Sequence, residues 1–280
     1  MKILALSLMA LLGTGLTARA NGPRPFLFLK TGEKFATQEI AAPTVAGLTG
    51  YIGEKVVGVT NAFAPHVMND PVKAAEYSAK SKPALGVVTA GFYLTYAKTL
   101  GMEPLLEINR TSVKEERYVL VVRKDGPADL ASMEGKTIAT PLAGEQLYVV
   151  GVVLQGKLGE EIRLQQTMDV EGSVFDLAEG SKKAADAVLL EAGAWDLFKD
   201  DPDSGGKLKV LYQSEALPHD LAVMFTPKSD AVNIDKLKQV LKDMSGNADG
   251  QKVLQSIRVD SFVDVDQARL SQAEKLFHGK

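Results

Sequence analysis

Short apolar, β-branched runs alternate with segments of helical pattern along nearly the whole chain. The stretch from Thr137 to Leu158 shows the unit. A β-branched run (Thr137, Ile138, Thr140) stops at Pro141. A small-residue turn follows (Leu142, Ala143, Gly144), then a strongly apolar helical segment carrying Leu147, Val149, Val150, Val152, Val153 and Leu154. Strand, tight turn and helix repeated in this way build an α/β sheet with parallel strand pairs. Ligands of such sheets sit where strands end and helices begin, because the first amides of a helix lack partners and carry the positive end of its dipole. Here the first turn after Pro141 holds Glu145, whose carboxylate complements that dipole and repels an incoming anion.

Before this unit, strands are expected at 25–29, 56–60, 84–89, 104–108 and 117–123. Helices are expected at 38–54, 94–100 and from Asp70, a cap followed by Pro71 at the first turn. After it come strands near 162–166, 185–190, 208–212 and 221–225. Helices are expected near 174–183, 194–198, 234–244, 249–257 and 266–277. At two places a strand leads through polar residues straight into another strand, 107–117 and 213–221. Two such crossovers divide the chain into residues 21–112 plus 215–280, and 113–214: two lobes joined by a hinge, able to close on a ligand.

The first residues read as a secretory leader over 1–20. Lys2 precedes an apolar run, and Ala18-Arg19-Ala20 supplies a small-residue cleavage site. The run is too short to span a membrane comfortably. Without Lys2 and Arg19 the chain carries 30 basic and 35 acidic residues, a formal charge of −5. That balance argues against a nucleic-acid partner. There is no cysteine, hence no disulfide and no thiol chemistry. No His-rich spacing or calcium loop suggests a metal, and no nucleophile motif suggests an enzyme; no cofactor is expected.

Several segments, in order, resemble a known family: Gly86-Val87-Val88-Thr89-Ala90-Gly91-Phe92-Tyr93, Glu103-Pro104-Leu105, Asp129-Leu130 with Gly135-Lys136-Thr137-Ile138-Ala139, Ala185-Asp186-Ala187-Val188, Ser214 to Asp220, and Gly250 to Leu254 with Phe262-Val263. The chain is similar to substrate-binding proteins of phosphate and phosphonate ABC importers, with the two-lobed type 2 periplasmic binding fold. The resemblance implies a periplasmic protein, acting as a monomer, that captures a small ligand between its lobes and delivers it to an inner-membrane transporter. It implies a Ser/Thr-rich phosphate cradle just after Pro141; this chain has Leu142-Ala143-Gly144-Glu145-Gln146 instead. Each charge-assisted hydrogen bond lost from such a cradle costs roughly 1.5–3 kcal/mol, so the anion site is expected to be degenerate. By resemblance, Thr89 takes the small hydroxyl position of the first lobe, Tyr93 a common aromatic position, and Glu191 the position that meets an amino group. The candidate ligand-binding residues are Phe35, Phe63, Thr89, Tyr93, Leu142, Gln146, Tyr148, Glu191, Trp195 and His219. The alternative to a small solute is an apolar cargo, a lipid or sterol carried within the cell envelope; a large, mostly hydrophobic cleft would mark it.

Overall fold

The computed structural model describes residues 22–32, 38–110, 115–158, 161–225 and 232–279. The expected leader and Phe35 lie outside them. The chain begins with β1 (Arg24–Leu29), α1 (Gln38–Ile52), β2 (Phe63–Met68), α2 (Pro71–Ser81), β3 (Leu85–Val88), α3 (Ala90–Leu100) and β4 (Met102–Asn109). It continues with β5 (Tyr118–Arg123), β6 (Thr137–Thr140), α4 (Gln146–Tyr148), β7 (Arg163–Gln166), α5 (Val170–Glu179), β8 (Ala187–Glu191), α6 (Ala192–Trp195) and β9 (Leu208–Gln213). It returns through β10 (Leu221–Phe225), α7 (Ile234–Lys242), α8 (Ala248–Ser256), β11 (Ser261–Val263) and α9 (Gln267–His278).

These strands form two sheets, ordered β11-β4-β10-β3-β1-β2 and β7-β6-β8-β5-β9. Each is the centre of one lobe of a mixed α/β fold. β10 enters the first sheet between β3 and β4, antiparallel to both. In the second sheet β6 runs parallel to β7 and β8, while β5 is antiparallel to β8 and β9. The chain therefore passes between sheets twice, and the two passages touch. Glu116 and Leu217 form an antiparallel bridge, with Leu217 N donating to Glu116 O at 2.8 Å. The parallel strands of both lobes end toward the gap between them, which puts Lys30-Thr31 and Thr89 on one side and Pro141 and Glu191 on the other.

Strand alternation sorts the core. Phe26 and Phe28 face a cluster within the first lobe, with Val45, Leu48 and Leu106. Val119, Val121, Val188 and Leu190 face one within the second lobe, with Trp195. Leu27 and Leu29 point the other way, into a cluster that joins both lobes through Phe92, Leu120, Leu189, Val152 and, from α9, Leu270.

Two local expectations are corrected. The run 56–60 is not a strand: Val56 and Val57 end the first helix in a widened turn (Gly53–Val57), and Gly58 stops it at φ 82°. The strand is β2, which contains Pro65. It lies at the sheet edge and pairs with β1 alone, so a missing backbone donor is tolerated there. The apolar segment after Gly144 is not one regular helix either. α4 is a single turn, followed by a wider turn (Val149–Val153) in which Leu154 N donates to Val149 O at 2.9 Å. Its β-branched valines crowd a regular helix, and Gly151 lies against Leu276 and Phe277 of α9.

Leu189 is fully buried on β8, between β5 and β6. Leu189→Ala is expected to lower the unfolding free energy by about 3 kcal/mol through lost transfer and a residual cavity, read as a lower urea midpoint.

Candidate functional site

A cavity of about 230 Å³ lies between the lobes. The first lobe contributes Lys30, Thr31, Thr89 and Gly91; the second contributes Pro141, Leu142, Glu145, Tyr148, Glu191 and Ala194; the crossovers contribute Arg110, Glu116, Pro218 and Asp220.

Thr89 follows β3 and caps α3: Phe92 N donates to its Oγ1 at 3.2 Å. The Thr89 hydroxyl proton is thereby left to donate elsewhere, and it donates to Glu145 Oε1 at 2.6 Å. Thr31, following β1, donates to the same oxygen at 2.5 Å. Glu145 closes a short turn (Ala143–Glu145) after β6, so its carboxylate crosses from the second lobe to the first. Gly91 permits the approach: a Cβ there would land on Glu145 Oε2. That second oxygen is buried without a hydrogen-bond partner among the described residues. Burial pushes Glu145 up to about 7, against the two threonine bonds, and the nearby Asp220 carboxylate adds to the rise.

The crossovers supply a second charged group. Arg110 Nη2 donates to Glu116 Oε2 at 3.0 Å, and its Nη1 lies 3.6 Å from Glu191 Oε1. Tyr118 donates its hydroxyl to Glu116 Oε1 at 3.0 Å. Burial, with the neighbouring Glu191 carboxylate, pushes Glu116 up to about 7 against the pull of Arg110. Burial also disfavours the Arg110 charge, but Asp220, Glu116 and Glu191 outweigh it and keep the guanidinium protonated. Lys30 Nζ lies 3.5 Å from Asp220 Oδ2. Each basic group of the lining thus already faces a carboxylate.

Of the residues singled out in the sequence, Thr89, Leu142, Tyr148 and Glu191 line the cavity. The others do not. Phe63 begins β2 and is buried in the first lobe's own core. Tyr93 lies one turn into α3, in the cluster shared between lobes. Trp195 is packed in the core of the second lobe, behind Ala194. Gln146 faces solvent. His219 is buried behind Pro218, its Nδ1 3.7 Å from Glu116 Oε2. Phe35 is outside the described residues. The sequence reading missed Thr31, Arg110, Glu116 and Asp220. Three of these lie on the crossovers, and charged residues there were the available signal. Among the described residues no group of acidic, histidine or cysteine side chains could hold a metal ion.

A family model described as the periplasmic phosphonate substrate-binding protein of ABC transporters matches residues 36–270. The chain belongs to this family. Phosphonate-type binding proteins are transporter components rather than enzymes. Among solved structures, a Xanthomonas citri protein bound to ATP is similar at a TM-score of 0.69 and 13% identity, covering 92% of this chain and 98% of that one. A binding protein component of a phosphonate ABC transporter from Pseudomonas aeruginosa is similar at 0.64 and 15%, covering 91% and 86%. PhnD1 from Prochlorococcus marinus, in complex with methylphosphonate, is similar at 0.60 and 11%, covering 91% and 97%. At these identities the likeness shows the shared two-lobed fold alone. No curated protein matches the chain. No helix among the described residues is long and apolar enough to cross a membrane.

The state of Glu145 makes stability depend on pH. Its pKa in the folded protein, about 7, exceeds the ordinary value of 4.5, so the native state holds the proton more tightly than the unfolded chain. Stability is full below about pH 4.5 and falls as pH rises toward 7, by roughly 3 kcal/mol for this side chain. Urea unfolding between pH 5 and 8 is expected to show the decline in the wild type and a shallower one in Glu145→Gln.

Proposed function

We propose that this phosphonate-type binding protein captures a small solute bearing a cationic group, an amine above all, and hands it to an inner-membrane ABC transporter. The observation that carries this reading is the charge of the cleft. Among the described residues Glu116, Glu145, Glu191 and Asp220 line it against the two bases Lys30 and Arg110, and both bases already face acids. No base of the lining among the described residues is left unpaired to neutralise a free phosphate or phosphonate, while four acids against two bases leave an excess of acid for an ammonium group to meet. Glu191, with its side chain 33% exposed beside Arg110, is the accessible acid and the natural contact for the amine. The protein acts as a periplasmic monomer, sent there by a leader over residues 1–20.

The cavity size fits a molecule no larger than an amino acid. Six charged side chains in so small a lining give a lipid or sterol no apolar chamber, and the small cationic solute is the reading retained.

A thermal-shift panel of methylphosphonate, 2-aminoethylphosphonate, ethanolamine and putrescine tests the proposal. At 100 times its Kd a ligand adds about 2.7 kcal/mol, raising Tm by roughly 5–10 °C for a chain of this size. An amine-bearing compound is expected to do so, and more strongly at pH 8 than at pH 6, because a bound cation favours the ionised forms of Glu116 and Glu145. Stabilisation by methylphosphonate equal to that of its amino analogue would overturn the reading.

A further inference from the structure

The head of α3 is built to receive an acid group, and this chain supplies one from within. Two hydroxyls from the first lobe, those of Thr31 and Thr89, converge on one oxygen of Glu145 at 2.5 and 2.6 Å, the range of hydroxyl-to-carboxylate bonds. α3 begins at the same place with the positive end of its dipole, its Phe92 and Tyr93 amides already taken by Thr89. Gly91 removes the one side-chain atom that would block the other oxygen. That oxygen is buried and lacks a hydrogen-bond partner among the described residues, which leave part of the carboxylate's bonding capacity unused. The acid comes from the opposite lobe, and contacts on either side hold it there. Gly32 lies against Pro141, and Gly144 against Pro71 at the start of α2.

We infer that Glu145 is a tethered anion: it fills the acid-group position of the cleft, excluding carboxylates and oxyanions from the head of α3 while pinning the second lobe to the first. Glu145 is then the residue that sets specificity against anions, and its removal creates a site for a small free carboxylate or phosphonate. This deepens the functional reading and rests on it only in taking the cleft as the ligand site. A glutamate truncated at Cβ loses the atoms of acetate, so acetate fits the space that Glu145→Ala leaves.

The test is thermal unfolding of the full chain as wild type, Glu145→Ala and Glu145→Gln, titrated with sodium acetate or methylphosphonate against sodium chloride of equal ionic strength. Glu145→Ala is expected to melt lower and to recover saturably, by about 3–6 °C at ten times the anion's Kd. Wild type and Glu145→Gln, whose side chains still fill the position, are expected to shift by no more than about 1 °C. Equal shifts in all three, or none in Glu145→Ala, would overturn the inference. Should Glu145→Ala not fold, Gly91→Ala carries the test: its Cβ displaces Oε2 and is expected to flatten the fall in Tm between pH 5 and 8, and an unchanged slope would overturn the inference. These outcomes are independent of whether amines bind. Failure of the amine panel with rescue by acetate would reject the cationic solute and keep the tethered anion.

Discussion

A carboxylate taken out of water must be met by donors or by a proton, and Glu145 is met by two hydroxyls that belong to the other lobe. That bond set fixes more than one side chain. It holds the turn after β6 against the ends of β1 and β3. It brings Pro141 onto Gly32 beside a cavity whose lining mixes charged side chains with apolar ones such as Leu142, Val170 and Leu190. The rest of the cleft accommodates it. Asp220 stands near enough to raise the Glu145 pKa and is itself paired with Lys30, while Arg110 is held between Glu116 and Glu191.

The geometry follows from the way the two sheets are threaded. Parallel strands in each lobe end at the gap, and the helices that follow them begin there. The crossovers add charged residues at the same level, joined by the bridge between Glu116 and Leu217. Away from the gap the lobes share an apolar cluster that includes α3, the wide turn at Val149–Val153 and α9. The two regions adjoin: Tyr118, Leu142 and Tyr148 belong to the shared cluster and also line the cavity. Burial first, and the neighbouring charges and hydroxyls after it, set the protonation of Glu116 and Glu145.

The expectation of a degenerate anion site came from side chains missing after Pro141, and it placed the Glu145 charge at the start of its own helix. In the folded protein that helix is a single turn, and the carboxylate lies at the start of α3 instead. The acid and the missing hydroxyls were legible in the residue types; the place of the carboxylate was not. The aromatic candidates show the opposite error. Tyr93 and Trp195 follow strand ends, where ligands sit, and Phe63 follows only the expected strand 56–60 and in fact begins β2; each side chain points into a core, where its apolar surface is buried. Val56 and Val57 misled for a related reason: β-branched residues favour strands only weakly, and here they form the widened last turn of a helix that Gly58 caps.

The amino-acid sequence alone determined the alternation of strands and helices, the two crossovers and hence the two lobes, because these depend on local periodicity and on polar breaks that each segment carries in itself. It also determined that the turn after Pro141 lacks hydroxyls and carries an acid. Only the tertiary structure decided which hydroxyls meet that acid. Thr31 lies 114 residues from Glu145 and Thr89 lies 56, and no local pattern encodes a bond between side chains that only the meeting of two lobes brings within reach.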